Sequence, residues 1–543
     1  MQGLMMGDQL TITALMKHGR AINGDSKIVS ITHDNPRHEY TQSACFDRAA
    51  QLANALKRLG VEQGQTVGTL AWNDYRHMEV YYGVACCGSV CHTINPRLFP
   101  EQLVYIINHA EDQLLMVDPM FLPLIEAISD SIPHVKGVVV MAGEDTMPQT
   151  KLDNVYCYET LLAQESTDYP WPDLDEDTAC SLCYTSGTTG NPKGVLYSHR
   201  ALVLQSYACC LSDGMGLSAH DVALPIVPMF HVNAWNMPYS AALAGFTLVF
   251  PGSKMGDGET LQRLIEEEGV KYAVGVPTVW LALLNYLKES GKTVPSLERV
   301  GVGGSACPLS IMHDFEKNHG VTTITGWGMT EMAPLGTFNA PKHPRDYYSD
   351  EEYDKLRVRA GRPVFGVSMK ILDDDGNELP WDGVAFGALK VKGPWVVERY
   401  YKHTETALDA DGWFDTGDVA SINPDGNMMI TDRTKDVIKS GGEWISSIDL
   451  ENCAVAHPEV AEAAVIGIAH PKWDERPLLV VVRVAGSSVS GDDILRFMDG
   501  KVAKWWMPNE VSFVDELPHT ATGKIHKMKL REQFADYRFA DEA

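Results

Sequence analysis

The densest concentration of reactive residue types in the chain is YTSGTTGNPKG, from Tyr184 to Gly194. A strand-like segment feeds a loop with Gly187, Gly190 and Gly194, the hydroxyls of Thr185, Ser186, Thr188 and Thr189, and Lys193. Glycine lets backbone N–H groups turn towards an anion, hydroxyls donate further bonds and the ammonium supplies charge. That combination suits phosphates; the plainer alternative is a surface Gly/Thr turn. It is not the GxxxxGK[ST] loop, because neither Ser nor Thr follows Lys193.

Further motifs follow in order: GWGMTE (Gly326 to Glu331), WFDTGD ending in Asp418, DRTKDVIKSGGEWIS and TATGKIHK. Together with the loop they resemble the adenylate-forming superfamily of acyl-CoA synthetases, firefly luciferases and peptide-synthetase adenylation domains, over essentially the whole chain. The resemblance implies ATP, Mg²⁺ and coenzyme A as small-molecule partners beside a carboxylic acid. The reaction joins two anions, so the site must neutralise charge and fix geometry.

The resemblance also distributes roles. Nucleotide binding falls to Thr185, Ser186, Gly187, Thr188, Thr189, Gly190 and Lys193, to Gly304, Ser305 and Ala306 of GGSACP, and to Gly326, Trp327, Gly328, Met329 and Thr330. Asp418 accepts the ribose hydroxyls, with Arg433 opposite and Ile430 nearby. Glu331, with Thr185, holds the metal, and Trp327 stands where the family usually has Tyr. Lys524 is the catalytic lysine of adenylation. His231 faces the acyl carboxylate as a catalytic or orienting group, although a histidine beside apolar residues can equally be core. Trp235, Gly303 and Pro334 line the acyl pocket. Lys439, Ser440, Gly441, Gly442, Glu443 and Trp444 meet coenzyme A, and Lys435 is the hinge about which a small domain swings.

Stretches such as MFHVNAWNMPY and SGGEWISS resemble both fatty acyl-CoA synthetases and ligases for 3-methylmercaptopropionate, a short thioether acid. A short or medium acid, 3-methylmercaptopropionate first, is therefore expected, with a medium- or long-chain fatty acid as the alternative. A non-catalytic nucleotide-binding module is the reading from a different class, against which Lys524 and Glu331 stand. Other chemistries lack their signatures: GGSAC misses the last glycine of GxSxG, and no GxGxxG follows a strand.

Bulk properties agree. The 543 residues exceed one hydrophobic core, and 45% hydrophobic with 22% charged residues describes an ordinary globular protein. Lys plus Arg number 45 against 72 Asp plus Glu, a net charge of −27 that excludes nucleic acid as a partner. Asp8 interrupts any leader-like stretch. The uncharged run from Val222 to Ser253 is broken by Pro225, Pro228 and Pro238, so it reads as strand, pocket wall and strand rather than a membrane span. Eleven cysteines include one CxxC, Cys180 and Cys183, in an apolar segment; buried-strand thiols fit better than zinc, which needs four ligands. A cytoplasmic homodimer is expected.

The elements that must carry these motifs alternate. AAQLANALKRLG and ETLQRLIEEEG are helical, the latter closed by Gly269, while VKGVVVM, FTLVF and KYAVGV are strand-like. The expected fold is α/β: a large N-terminal domain (1–434) of parallel-type sheets with helices plus a small β-lobe beyond residue 360, then a small mobile α+β domain (435–543).

Overall fold

The computed structural model describes residues 1, 3–185, 191–440, 443–519 and 525–539, without the side chains of Glu443 and Trp444. Among them, two large sheets form the bulk of the chain. The seven-stranded sheet runs Val155–Cys157, Gly137–Val140, Leu114–Val117, Thr66–Leu70, Val90–Thr93, Ala179–Tyr184 and Gly194–Ser198, all parallel except the last. Its central strands are apolar runs such as LLMV and GVVV, buried throughout, as parallel strands covered on both faces require.

The nine-stranded sheet is parallel through its middle: Thr322–Gly328, Arg299–Val302, Tyr272–Gly275, Val222–Pro225, Thr247–Phe250 and Lys27–Ser30. Antiparallel strands close both edges. Helices between the strands follow local rules. Helix Gly258–Glu268 buries Leu261, Leu264 and Ile265 and stops at Gly269, whose φ of 67° suits glycine at a helix end.

The Val222–Ser253 run departs from the expected strand, wall and strand: helix Met237–Ala244 fills its middle. Pro238 was counted as a breaker, but it sits in the first helical turn, where its missing N–H costs nothing. Cys180 and Cys183 are buried in the strand Ala179–Tyr184.

A four-stranded antiparallel lobe follows, from Ser368–Leu372 to Met428–Arg433. The C-terminal part is α+β. A five-stranded sheet is built around the hairpin Val460–His470 and Asp474–Arg483, with helices Ser447–Val455, Gly491–Met498 and Lys527–Gln533. The last strand of the lobe ends at Arg433 and this sheet begins at Ile438, on either side of Lys435. No helix among the described residues is long and apolar enough to cross a membrane.

Candidate active site

Three motif segments leave the carboxyl ends of parallel strands in one sheet: Gly303–Ala306 after Val302, Met329–Glu331 after Gly328, and Ile226–Trp235 after Pro225. The carboxyl edge of such a sheet is where ligands of open α/β folds bind.

The phosphate-loop expectations at Ser186, Gly187, Thr188, Thr189 and Gly190 lie outside the described residues, but the neck of the loop is defined. Thr185 N–H donates to the Lys193 carbonyl at 2.9 Å, and the Thr185 hydroxyl accepts the Lys193 N–H at 3.2 Å. Lys193 Nζ lies 4.7 Å from the centre of the Tyr400 ring, a cation–π contact. The Tyr400 hydroxyl in turn donates to Glu331 Oε1 at 2.9 Å. Glu331 is only 9% exposed. Burial pushes its carboxyl up, opposed by the Tyr400 hydrogen bond and by Arg433. A buried carboxyl oxygen donor linked through Tyr400 to Lys193 fits Mg²⁺, which binds through one or two carboxylates and shared phosphates.

Asp418 and Arg433 face each other across paired strands, with Arg433 Nε 2.8 Å from Asp418 Oδ1. The other carboxylate oxygen accepts the Trp327 indole N–H at 2.9 Å. The Trp327 indole thus helps orient Asp418, while its ring covers Gly336, where a Cβ would lie 2.6 Å from it. Ile430 pairs with Ala420 two residues beyond Asp418 on the same strand. Gly328 is required by close approach, since a Cβ there would lie 2.0 Å from the Pro334 carbonyl oxygen. Met329 N–H donates to that same oxygen at 3.1 Å. The Thr330 carbonyl accepts from the Tyr197 hydroxyl.

On the acid side, a Cβ on Gly303 would lie 2.8 Å from the Trp235 indole and 3.3 Å from the Gly326 carbonyl oxygen. Trp235, Gly303 and the nucleotide segment thus meet at one place. Gly304 adopts φ +83°, and Ser305 and Ala306 are exposed beside it. His231 is half-buried, with its N–H donating to the Pro228 carbonyl at 3.1 Å.

Lys439 and Ser440, expected to meet coenzyme A, lie in the C-terminal sheet. Lys439 N–H donates to Glu475 at 2.9 Å, its ammonium lies 3.6 Å from Asp374, and the buried Ser440 hydroxyl accepts from Arg476 at 3.1 Å. Gly441, Gly442, Lys524 and the side chains of Glu443 and Trp444 lie outside the described residues. At Lys435, burial lowers the ammonium's affinity for its proton. Two residues absent from the sequence reading matter here. Tyr400 links Lys193 to Glu331, and no spacing in VVERYYKH announces it. Lys527 is buried 2.7 Å from Glu451 Oε1 and bonded to the Ser447 hydroxyl, which also contacts Asp432.

Comparison with known proteins shows the family. Residues 21–401 match the AMP-binding enzyme family and residues 449–524 the AMP-binding enzyme C-terminal domain. The 3-methylmercaptopropionyl-CoA ligase of Ruegeria lacuscaerulensis is 51% identical over 536 residues, covering 99% of both chains. The medium-chain-fatty-acid–CoA ligase of Ectopseudomonas oleovorans is 48% identical over 540 residues, covering 99% of this chain and 98% of its own. Among solved structures, an anthranilate CoA ligase in complex with anthranoyl-AMP superposes with a TM-score of 0.86 at 26% identity, over 97% of this chain and 98% of that one.

Proposed function

The chain belongs to the AMP-binding enzyme family, as an adenylate-forming acid–thiol ligase, and from that premise we propose that it activates a short or medium acid, 3-methylmercaptopropionate first. The carrying observation is the Trp235 indole lying against Gly303 beside Gly326; in this reading the ring is the floor of a short pocket. The 51% identity to a 3-methylmercaptopropionyl-CoA ligase supports the same acid. A medium-chain fatty acid is the second reading, favoured by the 48% identity to a ligase for such acids.

In this reading Lys193 and the glycine loop hold the phosphates, and the Asp418–Arg433 pair holds the ribose. Glu331 and Thr185 would hold Mg²⁺, which would supply positive charge against the phosphates. Tyr400 keeps Glu331 ionised by donating to it, and His231 and Trp235 orient the acid. Lys524 serves acid activation. The division at residue 435 then lets the C-terminal domain swing about Lys435 and bring Lys439 to Trp444 against coenzyme A. A cytoplasmic homodimer completes the proposal. All eleven cysteines are free thiols, and exposed Leu4, Met5 and Met6 offer apolar area to a second copy.

The test is a panel of acids from three to sixteen carbons with 3-methylmercaptopropionate included, assayed with ATP and coenzyme A for kcat/KM. The proposal expects the maximum at 3-methylmercaptopropionate or acids of similar length. A maximum at twelve carbons or more would overturn it.

A further inference from the structure

The segment that delivers Trp235 is the most strained in the described chain. Val232, Asn233, Ala234, Trp235 and Asn236 have φ of 47°, 53°, 49°, 53° and 64°. None is glycine and Val232 is β-branched, so each sits in a left-handed region that its Cβ disfavours. Such a turn persists only where its surroundings over-determine it.

The restraint begins upstream, at a residue remote in sequence. Asn73 is fully buried. Its Nδ2 donates to the Pro225 carbonyl at 2.9 Å and the Val227 carbonyl at 2.8 Å, and its Oδ1 accepts the Met229 N–H at 2.6 Å. Its own carbonyl accepts from Gly252 at 3.1 Å, so Asn73 stands where the seven-stranded and nine-stranded sheets meet. Only Phe230 and His231 separate Met229 from the turn. Downstream, Asn236 Nδ2 donates to the Leu202 carbonyl at 2.8 Å and the Ser206 hydroxyl at 2.6 Å. With both ends held, the chain between them closes the gap left-handed, and the indole lands on Gly303.

We propose that Asn73 is a positioning residue for acid selectivity: its side-chain amide fixes Pro225–Met229, forces the left-handed turn, and so seats the Trp235 indole on Gly303 as the floor of the acid pocket. The inference rests on the acid-site reading above. Without the amide, two carbonyls and one N–H of the segment lose their partner, the turn relaxes towards negative φ, and the ring lifts from Gly303. Longer acids then gain room.

The experiment measures kcat/KM for 3-methylmercaptopropionate and for decanoate in the unmodified enzyme, Asn73→Ala, Trp235→Ala and the double variant. A hydrophobic pocket discriminates by about tenfold or more per methylene-sized change, so Asn73→Ala should raise the long-to-short ratio by about that factor, chiefly through KM. Because Asn73 acts through the ring, the double variant should show the ratio of Trp235→Ala alone. The near-isosteric Asn73→Leu fills the same volume, removes the acceptor and both donors, and is read identically should the alanine variant fail to fold. An equal fall for both acids, or shifts that multiply in the double variant, overturns the inference while leaving the acid site standing. A flat profile in Trp235→Ala overturns the acid-site reading and this inference with it.

Discussion

Replacing Tyr400 by phenylalanine deletes one oxygen and leaves the ring that Lys193 contacts. The lost group is the donor to Glu331 Oε1 at 2.9 Å, on a carboxyl whose proton affinity is already raised by burial. A hydrogen bond to an ionised group contributes roughly 1.5–3 kcal/mol, which corresponds to an upward shift of about one to two pKa units on its loss. The acidic limb of acid-dependent ATP–pyrophosphate exchange should therefore move up by that amount, and more Mg²⁺ should be needed at a given pH. Stability carries the same sign. The hydrogen bond favours the charged form, so the variant's deficit is complete above the raised folded-state pKa and fades as pH falls to 4.5 and below, where the carboxyl is protonated whether folded or unfolded. Exchange measured across pH, with denaturant unfolding at pH 4.5 and 8, reads both. An unmoved acidic limb together with a pH-independent loss of stability would refute the idea that Tyr400 supports an ionised Glu331.

Three further outcomes are expected. His199 is buried, accepts the Ile12 N–H at 3.1 Å, and burial lowers its pKa from 6.5 to about 4, so the unfolded chain binds the proton first and stability falls as pH drops from 6.5 towards 4. The loss should reach about 2 kcal/mol at pH 5, and His199→Asn, which keeps an acceptor, should remove that slope in denaturant titrations. Lys527→Met leaves Glu451 and Asp432 without their buried cation and should cost about 3–5 kcal/mol in the unfolding of the C-terminal part. A loss below about 1 kcal/mol would show the pair to be an ordinary surface contact. Lys524→Ala should abolish acid activation but spare thioester formation from supplied acyl-adenylate, and equal loss in the two half-reaction assays would remove its assigned role.

Much of the architecture was legible because its signals are local. LIEEEG closes with a glycine in the left-handed region, and the short β-branched runs VKGVVVM, FTLVF and KYAVGV are strands of covered sheets, as read. The pairing of Asp418 with Arg433 was legible as motif, and strand register explains it, since the two lie opposite each other. Illegible parts depend on context. Pro238 reads equally as a helix breaker and a helix starter, and only the packing of Met237–Ala244 decides. HVNAWN holds no glycine to signal five left-handed residues; Asn73 anchors the chain upstream of them and the Asn236 side chain anchors the last of them. Tyr400 and Glu331, 69 residues apart, meet only through the fold.

The account stands or falls on the order of bond making: the acid is joined to the α-phosphate before the thiol takes part. Acid-dependent ATP–pyrophosphate exchange in the absence of coenzyme A, followed by product analysis once coenzyme A is added, measures this directly. Exchange without the thiol, requiring both acid and Mg²⁺, is expected, followed by equal amounts of AMP and acyl-CoA on its addition. Exchange that appears only with coenzyme A present, or ADP and orthophosphate among the products, would contradict it.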